Sequence, residues 1–210
     1  MYETHWGLSR LPFGGGPDER GFHESPTHEE ALARLHFLVE RGHRLGLVLG
    51  PSGGGKTLLL RFFDGQLRRQ GAATAVVGLP GVGPDEMLTM LAAELGLAAG
   101  PAADRPTLWR KLLDRLAEYR YEQRSTVLLF DDADRAAPGT LGQIARLVRG
   151  DFAEENRLTV VLAARPKRVK RLGRPLLERV DLRIDLQPWE ADDTRRFVET
   201  SLSDAGRKTP

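Results

Sequence analysis

Leu32, Leu35, Leu38 and Val39 fall on one face of a helix, and a continuously apolar run, Leu45 to Leu49, comes directly after them. The first pattern predicts an amphipathic helix and the second a buried strand. Ser25-Pro26 and a capping box of Thr27 with Glu30 mark the helix start, and Arg41-Gly42-His43 marks the turn out of it. The same two rhythms then alternate. Helical spacing resumes at Thr57-Leu58-Leu59-Leu60, and Ala73 to Val77 is β-like. Met87, Leu88, Leu91 and Leu95 predict a helix that starts at Gly83-Pro84-Asp85-Glu86 and stops at Gly96. After a Gly-Ala-Pro loop from Gly96 to Pro106, a helix carries Leu108, Trp109, Leu112, Leu113, Leu116 and Tyr119 on one face and leads into the strand Thr126 to Phe130. Leu141, Ile144, Ala145 and Val148 mark one more helix, Leu158 to Ala164 a fourth strand, and Leu182 to Leu186 a fifth, more exposed one. Strands that alternate with helices in this way predict a parallel sheet covered on both faces.

Composition narrows the class. With 210 residues, 40% hydrophobic and 29% charged, the chain has the make-up of one well-buried globular domain with a small appendage. Cysteine is absent, which excludes disulfides, thiolate metal sites and cysteine nucleophiles and fits a reducing cytoplasm. The start Met1-Tyr2-Glu3-Thr4-His5-Trp6 lacks the pattern of a signal peptide, and no apolar run reaches the roughly 20 residues of a membrane span. A formal net charge of +2 gives no global case for nucleic acid.

Between the first strand and the helix behind it stands Gly50-Pro51-Ser52-Gly53-Gly54-Gly55-Lys56-Thr57, followed by Leu58, a match to G-x-x-x-x-G-K-[ST] in the context that motif needs. Glycines allow successive backbone N–H groups to turn inward around an anion, and the N-terminus of the next helix adds its free N–H groups and dipole. Lys56 then reaches the β- and γ-phosphates of ATP, and the Thr57 hydroxyl ligates Mg²⁺. Val127 to Phe130 delivers Asp131 and Asp132 at the end of a buried strand, where ligands of open parallel sheets collect. Asp131 is assigned to the Mg²⁺ side and Asp132 to the attacking water, with Asp134 as a less favoured substitute.

With those motifs, Tyr2, Trp6-Gly7-Leu8, Pro12-Phe13, Phe22, Ser25, His28 and Ala31-Leu32 resemble the N-terminal signature of the secretion-ATPase A family, the ExeA-like AAA+ proteins. The likeness continues through Asp131-Asp132-Ala133-Asp134, Ala164-Arg165-Pro166, Arg179 and Pro188. It implies an α/β P-loop NTPase fold of the AAA+/ASCE type, with five parallel strands flanked by helices and the phosphate-loop strand central. It also implies ATP hydrolysis and assembly into a ring or other multimer that serves type II secretion or pilus machinery. Similar ATPases regulate DNA transposition, so a nucleotide-dependent DNA-binding adaptor with low turnover is the alternative. Arg179 matches the arginine that reaches the γ-phosphate of a neighbouring subunit, the other reading being a surface arginine paired with Asp181 or Glu178. His28 falls near the nucleotide base by family position, while Trp6, Pro12 and Phe13 are read as packing an N-terminal arm.

Three positions depart from the family. Asp132 stands where a glutamate is usual, a shorter reach that fits slow hydrolysis. Ala164-Arg165-Pro166 replaces Gly-Gln-Pro, leaving Arg165 as the polar sensor or the sensor missing. The chain ends about where the helical lid begins, so the expected organisation is an arm and helix over 1–44, the ATPase core over 45–189, and over 190–210 a tail or the start of a lid that is largely absent. Arg165, Lys167, Arg168, Lys170, Arg171 and Arg174 form a basic cluster read first as a solvated helix, then as a subunit interface, and last as a nucleic-acid contact. The five histidines, His5, His23, His28, His36 and His43, lack metal-binding spacing.

Overall fold

The computed structural model describes Leu8 and residues 25–98, 104–149 and 157–206. Helix α1 (Pro26–Glu40) leads into β1 (Leu45–Leu49), α2 (Lys56–Arg69), β2 (Ala73–Gly78), α3 (Pro84–Glu94), α4 (Arg105–Tyr121) and β3 (Thr126–Asp131). A 3-10 turn over Ala133–Arg135 precedes α5 (Pro138–Leu147) and β4 (Leu158–Ala164). A second 3-10 segment, Pro166–Leu172, is followed by the short α6 (Arg174–Leu177), β5 (Leu182–Asp185) and α7 (Ala191–Asp204).

The five strands form one parallel sheet in the order β2-β3-β4-β1-β5. The phosphate-loop strand β1 is therefore interior, but β4 occupies the middle, which corrects the expectation of a central β1. Register fixes what meets at the rim. Leu162 pairs with both Leu47 and Phe130, so Leu49, Ala164 and Asp132 reach the same level two residues later, and Asp185 pairs with Leu49 from the other side. The chain leaves β1, β3 and β4 together at one edge, where open parallel sheets hold their ligands.

Side chains alternate between two apolar layers. Leu45, Leu47 and Leu49 of β1, with Leu128, Phe130, Val160 and Leu162, pack under α3, α4 and α5. Val48, Val127, Leu129, Val161 and Ile184 face the opposite layer, filled by Leu35 and Leu38 of α1 and Leu59, Leu60 and Phe63 of α2. Burial on both faces is why these strands read as unbroken apolar runs. Gly46 permits the approach of α1, because a Cβ there would stand 2.6 Å from a methyl of Leu38.

Of the two overlapping start signatures, Ser25-Pro26 rather than Thr27/Glu30 sets the beginning of α1. Ser25 is the N-cap and Pro26 the first helical residue, so Thr27 already lies inside the helix. The Ser25 hydroxyl is hydrogen-bonded to His28 Nδ1 at 2.7 Å, and Glu30 pairs with Arg34. The basic run after β4 is a 3-10 segment with Lys167, Arg168, Lys170 and Arg171 exposed. The stretch after β5 holds a helix, α7, where no element was read from the sequence; Trp189 at its entrance packs against Phe197, with ring centroids 5.2 Å apart.

Candidate nucleotide-binding site

The loop leaving β1 folds around its own lysine. Lys56 Nζ donates to the carbonyls of Gly50 (3.0 Å) and Pro51 (2.8 Å), and the side chain is buried at 6% exposure. An ammonium has three donors, so one remains for a phosphate while both carbonyl contacts persist. Gly53 and Gly55 have φ of 77° and 76°, the left-handed region that glycine enters without a steric penalty. Gly55 is the N-cap of α2, so the N–H groups of the first turn open into a cleft of about 320 Å³. Ser52, Gly53, Gly54, Gly55, Lys56, Thr57 and Leu58 line it together with Asp132, Arg135 and Arg165. Gly50 and Pro51 act from below, through their carbonyls on Lys56.

Across the intervening β4, Thr57 meets the end of β3. Its hydroxyl donates to Asp131 Oδ2 at 2.5 Å, while Asp131 Oδ1 accepts from the backbone N–H of Asp132 at 2.8 Å. A hydroxyl oxygen and a carboxylate oxygen side by side are the hard donors that Mg²⁺ prefers. Among the described residues no three His, Cys, Asp or Glu side chains gather to form a metal cage. This pair fits a cation that keeps waters and takes its remaining ligands from phosphate, and in ATP-binding sites magnesium adds positive charge at the β- and γ-oxygens.

Asp132 turns the chain in a left-handed conformation, φ 50° and ψ 39°, which short polar side chains tolerate better than most. Its Oδ2 accepts from Arg135 Nη1 at 3.2 Å. Asp134 has a different task from the substitute role read for it. It is fully buried, and both carboxylate oxygens are committed to Arg165: Oδ1 accepts from the backbone N–H at 3.2 Å and Oδ2 from Nε at 2.8 Å. Arg165 is thus fixed at the end of β4, at the cleft wall.

Arg179 lies at the opposite end of the sheet. It precedes β5, lines a depression with Gly42, His43, Arg44 and Asp181 at the entrance of β1, and donates to the Pro175 carbonyl. The surface pairings considered for it are otherwise engaged, since Glu178 bonds Arg174 and Asp181 accepts from the N–H groups of Arg44 and Leu45. Arg179 does not line the cleft over the chain's own phosphate loop.

His28 is buried against the loop, bonded to Ser25 and accepting from Trp189 Nε1 at 3.4 Å. Trp6, Pro12 and Phe13 lie outside the described residues, as do His5 and His23. Sequence reasoning missed Arg135; its signal was a cation four residues beyond Asp131, on the turn that leaves the strand. It also missed Trp189, whose contact with α1 spans 161 positions.

A glycine loop over a helix N-terminus, a lysine, and a hydroxyl facing a carboxylate across one inserted strand define a P-loop nucleoside triphosphatase. Within that class the chain belongs to the AAA domain family, whose profile matches residues 39–172, and it is an ATP-binding AAA+ ATPase. It is similar to general secretion pathway protein A of Aeromonas hydrophila, 29% identical over 214 aligned residues covering 100% of this chain and 39% of that protein. The fold resembles the Orc1 protein of Aeropyrum pernix in its complex with DNA (TM-score 0.71, 18% identity, 93% of this chain and 54% of that one). It also resembles Cdc6p of Pyrobaculum aerophilum (TM-score 0.62, 20% identity, 89% and 54%). The chain spans about two fifths of the secretion protein and about half of each solved chain. No helix among the described residues is long and apolar enough to cross a membrane.

Proposed function

We propose that the chain binds MgATP in the cleft above Gly50 to Thr57 and hydrolyses it, and that turnover drives assembly or remodelling of a larger complex. The observation that carries this is the 2.5 Å contact between Thr57 and Asp131, two residues 74 positions apart, beside a buried lysine. Lys56 binds the β- and γ-phosphates, Thr57 and Asp131 hold magnesium, and Asp132 accepts the proton of the attacking water. Arg179 supplies charge to the cleft of an adjoining copy, which makes the active unit a multimer. Likeness along the whole chain to a general secretion pathway protein favours secretion or pilus machinery as the setting. Fluorescent-nucleotide titration tests the first step: Lys56→Ala abolishes ATP binding, and unchanged affinity overturns the assignment.

The exposed cations Lys167, Arg168, Lys170, Arg171 and Arg174, which follow the cleft residue Arg165 along the chain, favour a second reading, a nucleotide-dependent DNA-binding adaptor with little turnover. Phosphate release without DNA supports the hydrolase. DNA retention that fades with salt, in a chain without turnover, supports the adaptor.

A further inference from the structure

Two guanidinium groups line the phosphate cleft, and they are held in different ways. Arg165 is fixed by Asp134, a carboxylate with no exposed surface, through its Nε and its backbone N–H, and Nη2 lies 2.7 Å from the same carboxylate. Pulling it away strands a buried charge, so Arg165 is part of the wall. Arg135 is held by a single contact of 3.2 Å to Asp132, with the two side chains 49% and 31% exposed. Half-exposed pairs three residues apart contribute little and exchange readily. The turn that carries Arg135 is nonetheless firm, because Ala133 and Ala136 on either side are buried.

We propose that Arg135 is an exchangeable phosphate ligand: its guanidinium leaves Asp132 for the terminal phosphate of a bound nucleoside triphosphate, and Asp132 is thereby released to act on water. The inference deepens the proposed function and rests on it. A terminal phosphate offers a guanidinium several charged oxygens and bidentate geometry, against the one carboxylate oxygen that Nη1 contacts now. A diphosphate lacks that group, so it leaves the ion pair intact. One residue then performs two coupled tasks, recognition of the triphosphate and release of the Asp132 carboxylate from its hydrogen bond. No bond forms or breaks in the exchange; one ion pair replaces another.

The test titrates the full chain with MgADP and with a non-hydrolysable MgATP analogue by calorimetry, for the parent, Arg135→Ala and Arg135→Lys, with circular dichroism to confirm folding. Arg135→Ala should weaken the triphosphate analogue by about tenfold or more and leave ADP within about twofold, and lysine should restore part of the difference by charge alone. Equal weakening of both nucleotides, or of neither, overturns the inference while leaving the nucleotide site standing. Faster phosphate release by Arg135→Ala at unchanged analogue affinity also overturns it, reducing Arg135 to a restraint on Asp132. A parent chain that binds neither nucleotide overturns both this inference and the function on which it rests.

Discussion

His28 Nε2 stands 2.5 Å from the point that a Cβ on Gly55 would occupy, so helix α1 and the phosphate loop touch where the loop has no side chain. Gly55 is constrained twice, by this imidazole and by its φ of 76°. Gly55→Ala should cost about 2 kcal/mol of stability, from the left-handed backbone together with the clash. Urea unfolding at unchanged m checks it. Adding His28→Ala should relieve the steric share and leave the backbone share, so a double-mutant cycle that shows no coupling refutes the contact.

Asp132→Asn keeps the shape of the turn and its link to Arg135 while removing the base. Nucleotide affinity should stay within about twofold, and phosphate release should fall by about 10²-fold or more. Equal turnover by variant and parent places the base elsewhere.

Asp134 and Arg165 form an ion pair of unequal burial, and the two deletions should differ. Arg165→Ala leaves a fully buried carboxylate without its cation, costing about 3–5 kcal/mol. Asp134→Ala should cost less, because the guanidinium keeps 27% exposure and regains water. The order of the two midpoints in urea is the measurement, and a larger loss in Asp134→Ala contradicts it.

Arg179 acts, in the proposed function, on a cleft other than its own. Arg179→Ala alone should lose about 10³-fold in turnover, and Lys56→Ala alone should be inactive. Mixing the two should recover measurable phosphate release, since some contacts then join an intact cleft to an intact arginine. A mixture as inactive as its components removes Arg179 from catalysis.

Acid should loosen the start of α4. The Thr107 hydrogen bonds hold the Asp104 carboxyl below its ordinary 3.8, and the hydrogen bond from Arg105 does the same for Asp85. Carboxylates with lowered pKa stabilise the fold fully above the ordinary value, and that stabilisation is lost as pH falls through the lowered one. The protection of the Thr107 and Leu108 amides, taken relative to their intrinsic exchange at each pH, should therefore be flat from neutrality to about pH 4 and fall only below it.

Most of the fold was legible because its signals are local. Doubly buried strands appear as apolar runs, and amphipathic helices repeat at the helical period. The phosphate loop, Asp131 and Asp132 were legible because glycine conformation and strand-end placement act over a few residues. Of the two overlapping signatures at the start of α1, Ser25-Pro26 sets the boundary, and the Thr27/Glu30 capping box does not form because Thr27 already lies inside the helix. The partner of Asp134 was not legible, because Arg165 lies 31 positions away on a strand whose place in the sheet no local pattern fixes. The position of β1 beside the middle, rather than in it, is a fact of strand order that periodicity does not encode.

That strand order also sets a timetable for synthesis. The glycine loop, Thr57 and Asp131 are all synthesised before residues 158–164 of β4 exist, yet β1 and β3 each pair with β4 and not with one another. A chain halted before Leu158 thus owns the Thr57 hydroxyl and the Asp131 carboxylate without the strand that aligns them. In the proposed function, competence for magnesium nucleotide therefore waits for β4 to fill the gap between β1 and β3.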